Sequence, residues 1–133
     1  MTDPTTGLLD TSVVIDHDML EPQHLPESTA ISAVTLAELA AGPHATTDRA
    51  ERGRRQDRLQ WATATWDPLP FDAECARAYG RLFATLKASG RSPRARVADL
   101  MIAATAMAHG LALYTRNPDD LSSVRALVRV VRV

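Results

Sequence analysis

Residues 7–18, GLLDTSVVIDHD, decide how the rest of the chain is read. Leu8 and Leu9 form an apolar run that stops on a carboxylate, Asp10, and Thr11 and Ser12 follow it directly. A short apolar run bounded by polar residues reads as a buried strand. Residues 11–19 then read as a short helix with Val13, Val14 and Ile15 on or near its inner face. In open parallel sheets ligands collect at the carboxyl ends of the strands, where the crossover loops open. Asp10 therefore stands where a site would be assembled, or else it caps the helix that follows.

The same alternation continues outward. EPQHLPES (21–28) carries two prolines and reads as a loop, and TAISAV (29–34) as a second strand. TLAELAAG (35–42) is a helix stopped by Gly42-Pro43, residues 46–66 are a long polar helix, and DPLPF (67–71) is a proline-bounded extended piece. Asp72 is a good N-cap for a helix running to about Ser89, whose apolar positions Ala76, Tyr79, Leu82, Phe83 and Leu86 recur at helical spacing. A further helix spans Pro93 to His109, closed by Gly110. LALYT (111–115) is a third strand and LVRVVRV, at the end of the chain, a fourth. Strands alternating with helices predict a three-layer α/β/α sandwich with a mainly parallel central sheet. The 133 residues fit one domain, residues 1–133.

Composition narrows the classes. Apolar residues make up 45% and charged residues 23%, an ordinary globular balance, and no apolar run nears the roughly 18 residues of a membrane span. The opening MTDPTTGLLD lacks the basic and long apolar regions of a secretory leader, so a cytoplasmic location is expected. The lone Cys75 excludes an internal disulfide and cysteine-rich zinc sites. A net charge of −1 argues against a globally basic nucleic-acid coat. The distribution says more: of 15 basic residues only Lys87 is lysine, and five arginines fall in RAERGRRQDR (49–58). Arg94 and Arg96 belong to a second cluster with Lys87 and Arg91. Arginine suits bidentate phosphate contact, although solvated helix faces explain the same pattern.

The acids carry the chemistry. Asp10 ends the first strand, Asp119 and Asp120 follow the third, Glu38 opens the helix after the second, and Asp99 lies in VADLMIAATAMA among apolar neighbours. Such a sheet brings four distant positions to one edge. Each has a plainer reading. Thr35-x-x-Glu38 matches a capping box, and Asp119 and Asp120 suit a turn after Asn117-Pro118. Asp99 is the hardest to explain away, because a carboxylate among buried apolar residues is costly unless paired or bound to a cation; its plainer reading is a partly exposed acid near the helix start, favoured by the helix dipole. Gathered carboxylates repel and resist joint ionisation, which a hard divalent cation relieves. Mg²⁺ or Mn²⁺ held on oxygen ligands can activate water and stabilise charge on a phosphoryl oxygen, so phosphodiester hydrolysis is the reaction class expected. Thr11, Ser12 and Thr115 can supply hydroxyls that orient the acids or a metal-bound water, or else serve as helix caps and turn residues, the plainer reading for Ser12.

Four segments in order resemble the PIN-domain ribonucleases, in particular the VapC-type toxins of bacterial toxin–antitoxin pairs: LLDTSVVID, ISAVTLAELAAG, ADLMIAATAMAHG and LYTRNPDDL. The resemblance runs over nearly the whole length. It implies catalytic acids at Asp10, Glu38, Asp99 and Asp120, with Asp10 and Asp99 as metal ligands and Thr11, Thr115, Asn117 and Asp119 in support. Many relatives carry an aspartate where this chain has Asn117. It further implies a Mg²⁺- or Mn²⁺-dependent endoribonuclease that cleaves a structured RNA, such as a tRNA or rRNA loop, and arrests translation. The implied assembly is a homodimer inhibited by a cognate VapB antitoxin, in a heterotetramer or larger complex. Arg54, Arg55, Arg94 and Arg96 are the candidate contacts to RNA or antitoxin. A haloacid-dehalogenase-like phosphotransferase would need an aspartate at position 12, where this chain has Ser12. A receiver-type domain would need an acid adjacent to Asp10. A weakly active module that binds antitoxin and RNA is the remaining alternative.

Overall fold

The computed structural model describes residues 5–133, so the first four residues of the opening segment read above for a leader lie outside it. The described residues form four strands and five α-helices in the order β1 (Thr6–Leu9), α1 (Thr11–Ile15), β2 (Ser28–Ala30), α2 (Ala33–Ala41), α3 (Arg49–Thr65), α4 (Ala73–Ala88), α5 (Val97–His109), β3 (Ala112–Thr115) and β4 (Val130–Arg132), so four α-helices in succession separate β2 from β3. The sheet runs β2-β1-β3-β4 and every pairing is parallel. The chain leaves β1 to one side to make β2 and returns to its other side to make β3. That reversal is the crevice in which an open parallel sheet places its ligands.

Strand alternation builds a separate core on each face. Leu8 packs into a cluster with Leu82, Leu86, Leu100, Ile102 and Leu113, under α4 and α5. Its neighbour Leu9 points the other way, into Val13, Val14, Ile31, Leu39 and Ala62, under α1, α2 and α3. Both leucines are fully buried, each contributing about 1.5–3 kcal/mol. These two clusters make the expected three layers.

Local chemistry shifts several boundaries. The strand expected over 29–34 ends at Ala30 because Ser32 caps α2, its hydroxyl accepting from Thr35 N–H at 3.0 Å. The DPLPF segment extends the edge instead, Leu69 exchanging backbone bonds with Ile31 and Ala33 at 2.9 and 2.8 Å. Residues 11–19 divide into α1 and a 3₁₀ turn, His17–Met19, and Ile15 is 46% exposed rather than inward-facing. Residues 93–96 form a 3₁₀ turn before α5. On α4 the inner face is Cys75, Ala78, Leu82 and Leu86, while Ala76 faces outward and Tyr79 and Phe83 are half-buried. The polar helix begins at Arg49, where the Asp48 carboxylate accepts from Glu51 N–H. Gly110 closes α5 in the left-handed region at φ 66°, as its place after the helix predicts.

Gly7 lets two elements approach. A Cβ there would meet the ring of Tyr114 and Cγ of Pro26. Gly7→Ala is therefore expected to destabilise the fold by about 1–3 kcal/mol, the usual range for overpacking. A thermal melt at neutral pH checks this; an unchanged midpoint would show that Tyr114 and Pro26 yield freely.

Candidate active site

The site grows from the place where β1 and β3 end side by side. Asp10 N–H donates to Tyr114 O at 2.9 Å and joins the two strands at their carboxyl ends. The Asp10 side chain makes no capping bond to α1, which removes the capping explanation. Its Oδ2 instead accepts two hydroxyls, Ser12 Oγ and Thr115 Oγ1, both at 2.9 Å. Arg116 N–H donates to Ser12 Oγ at 3.2 Å, and Asn117 N–H to Thr115 Oγ1 at 3.1 Å. The two loops are thus stapled together through side-chain oxygens, and Oδ1 of Asp10 has no donor among the described residues.

Asp99 lies in the first turn of α5, half-buried, with no hydrogen bond or ion pair among the described residues. Asp10, Asp99, Thr115, Asn117, Asp120 and Leu121 line a pocket of about 30 Å³, room for one or two water-sized atoms. Burial pushes the Asp99 carboxyl above the usual range, and the charges of Asp10, Glu38 and Asp120 push it the same way. Arg96 works in the opposite direction. These acids, far apart in sequence, therefore share one electrostatic site.

Glu38 belongs to that site and not to a capping box. Ser32 takes the N-cap, which places Glu38 in the second turn of α2 rather than the first. Its exposed carboxylate accepts from Thr11 Oγ1 at 2.6 Å. Asp120 lines the pocket and pairs with Arg96 Nη1 at 3.2 Å. Asp119 turns away to Arg132 at 3.4 Å and is absent from the pocket lining. Asn117 supplies an amide at the pocket wall.

The four arginines separate by role. Arg96 sits at the acidic pocket through Asp120. Arg55 is half-buried, donating to Gly42 O at 2.9 Å and pairing with Glu51, so it ties α3 to the end of α2. Arg54 is exposed and pairs with Glu51 at 2.7 Å, and Arg94 is exposed. The association of Arg96 with the acids was legible only as a basic residue three positions before Asp99. Thr35, read from sequence as a helix cap, is a fully buried hydroxyl 3.0 Å from Thr11 Oγ1.

The donors around the pocket are oxygens almost throughout, a set suited to a hard divalent cation. Asp99, half-buried against like charge with no ion pair among the described residues, and the open Oδ1 of Asp10 fit such an ion. Among the described residues no three Asp, Glu, His or Cys side chains are gathered at metal-ligand spacing. A cation here would complete its shell with water, as Mg²⁺ commonly does.

A model of the PIN domain matches residues 8–127, and the chain belongs to that family. Its similarity is to the VapC-type members. It is 37% identical to Ribonuclease VapC5 of Mycobacterium tuberculosis, with 99% of this chain and 98% of that protein covered. It is 39% identical to Ribonuclease VapC8 of the same species, covering 75% and 89%. Among solved structures, a VapBC-5 toxin–antitoxin structure from M. tuberculosis superposes with a TM-score of 0.84 at 36% identity, covering 98% of this chain and 100% of the other. FitAcB from Neisseria gonorrhoeae superposes with a TM-score of 0.70 at 27% identity, covering 94% and 96%.

The raised Asp99 carboxyl makes a stability prediction. Below the unfolded value, about 3.9, both states hold the proton and nothing is lost. As pH rises from there towards the higher folded value, the unfolded chain gives up its proton first and stability falls. Asp99→Asn is therefore expected to melt above the parent at pH 7 in chelator, with the gap closing towards pH 4. Melting curves at three pH values decide it; a variant less stable than the parent at pH 7 would contradict the reading.

Proposed function

We propose that this protein is a metal-dependent endoribonuclease and the toxin of a type II toxin–antitoxin pair, hydrolysing RNA phosphodiester bonds and so inhibiting translation. The observation that carries the reading is Asp99: half-buried, without a donor among the described residues, and pressed by the charges of Asp10, Glu38 and Asp120. Such an arrangement costs stability, and a cation offsets it. The names of the VapC relatives and the toxin–antitoxin assemblies among the similar structures support the same reading.

Asp10 and Asp99 would hold Mg²⁺ or Mn²⁺, with Glu38 and Asp120 acting through water. Such an ion would supply activation of a water and charge stabilisation at the scissile phosphate. The protein supplies the rest. Ser12 and Thr115 donate to Oδ2 of Asp10 and so orient the carboxylate that would hold the ion. Thr11 restrains Glu38, whose carboxylate can accept a proton from a reacting water. Arg96, beside Asp120, is a cation available to a phosphate oxygen at the same pocket. Exposed Arg54 and Arg94 are offered to RNA backbone or to an antitoxin, whereas Arg55 is held by the fold. The partner we assign is a VapB-type antitoxin, and the substrate a structured RNA, with a tRNA or rRNA loop the natural form because unstacked bases are readable there. A homodimer, assembled with antitoxin into a heterotetramer or larger complex, is the form we expect.

Purified protein freed of antitoxin is expected to cleave RNA with Mg²⁺ or Mn²⁺ and not in chelator. Asp10→Asn and Asp99→Asn should each lower the rate by about 100-fold or more, while circular dichroism shows the fold retained. Cleavage persisting in the double variant would remove the assignment. Asn117 at the pocket wall favours one second reading, a poorly cleaving module that mainly binds. Tight antitoxin and RNA binding with no cleavage by the unaltered protein would establish it.

The exposed arginines are tested by salt. If Arg54 and Arg94 each neutralise one RNA phosphate, Arg54→Ala and Arg94→Ala should each reduce the slope of log K against log salt by about 0.7–0.9. Unchanged slopes for RNA, with a change for antitoxin, would assign them to the partner instead.

A further inference from the structure

We propose that Thr35 is a positioning residue of this site: its buried hydroxyl donates to Thr11 Oγ1, commits the Thr11 proton to Glu38, and holds that carboxylate at the start of α1, one residue along from Asp10. The inference rests on the nuclease reading above and adds a residue to it.

Four oxygens form a continuous chain, Ser32 Oγ, Thr35 Oγ1, Thr11 Oγ1 and Glu38 Oε1, at successive separations of 3.4, 3.0 and 2.6 Å. Proton directions follow from the acceptor end. An ionised carboxylate only accepts, so the 2.6 Å contact takes the one proton that Thr11 owns. Thr11 Oγ1 can then only accept from Thr35. Thr35, its own proton spent, accepts from Ser32. Ser32 Oγ is already anchored by Thr35 N–H at 3.0 Å, which leaves its hydroxyl proton free to point along the chain. Ser32 and Thr35 are both fully buried.

Thr35 sits in the first turn of α2, where the carbonyl four residues back, that of Ile31, already accepts from Leu69 N–H at 2.9 Å. Thr63, Thr65 and Thr105 return their hydroxyls to the carbonyls of Leu59, Trp61 and Met101, four residues back, at 2.8, 2.7 and 2.9 Å. Thr35 reaches across from α2 to α1 instead. Valine has the same shape but would leave both the buried Ser32 hydroxyl and Thr11 Oγ1 without their Thr35 partner, so the serine variant is the control that separates the hydroxyl from the packing. The beneficiary is Glu38, an exposed, long side chain that would otherwise sample many rotamers. Hydrogen-bonded chains polarise along their length, and a carboxylate ordered in advance needs less ordering when a cation or water arrives.

The test uses Thr35→Val and Thr35→Ser in the full chain, alone and with Thr11→Val. In metal-dependent RNA cleavage, Thr35→Val is expected to lower kcat about 10-fold with KM unchanged, the lower end for removing an outer positioning partner. Thr35→Ser should restore it. In a Thr11→Val background Thr35→Val should add nothing, because the chain is already cut. Losses that multiply in the double variant would overturn the proposal. Order of the Glu38 side chain, measured by NMR on protein without metal or RNA, is the second readout: looser in Thr35→Val, unchanged in Thr35→Ser. If the unaltered protein cleaves but Glu38 order ignores Thr35→Val, the relay is wrong and the nuclease reading stands. If it does not cleave but Glu38 order follows the hydroxyl, the relay stands and the nuclease reading falls. Should Thr35→Val fail to fold, Thr11→Val, on the half-exposed α1, breaks the same chain one link on and carries the same expected loss.

Discussion

The structure depends on one junction, where β1 and β3 end together and Asp10 N–H donates to Tyr114 O. That bond sits at the reversal of strand order, so two loops open side by side above it. The next residues close the junction with side chains: Thr115 and Ser12 both donate to Oδ2 of Asp10. One carboxylate oxygen is occupied by the fold, and the other has no donor among the described residues. The glycine beneath, Gly7, lets Tyr114 and Pro26 come in over the strand. Packing, strand order and site geometry therefore converge on residues 7–12 and 114–117.

Charge sets the character of the site. Asp99 is raised by its own burial first and by three carboxylates second. Arg96 opposes this, while it also pairs with Asp120. Such a cluster costs the fold stability, because the carboxylates repel one another. The protein limits that loss by restraining its acids with neutral donors. Asp10 is held by two hydroxyls and Glu38 by a third, and hydroxyls orient a carboxylate without neutralising its charge.

The α3 face is organised differently. Glu51 draws Arg54 and Arg55 to itself, which holds its own carboxyl below the ordinary range. Arg55 also reaches Gly42 O, so part of the arginine-rich helix serves the joint between α2 and α3. A run of arginines is thus not one surface: two neighbours in sequence divide between a structural tie and an exposed cation.

Much was determined by sequence alone. Apolar runs ending on Asp10 and Thr115, helices between them, and Gly110 after α5 define an α/β sandwich, because period and punctuation are local properties. The expectation that Asp10, Glu38, Asp99 and Asp120 gather at one edge needed only strand–helix order and the resemblance of four motifs. The tertiary structure decided what each polar atom faces. It removed Glu38 from a capping box, because Ser32, three residues before Thr35, takes the cap. It turned Asp119 to Arg132 while Asp120 stayed at the pocket. It separated Arg55 from Arg54, and it linked Thr35 to Thr11 across two helices. Hydrogen-bond partners far apart in sequence are set by how the layers pack, and local spacing carries no record of that distance.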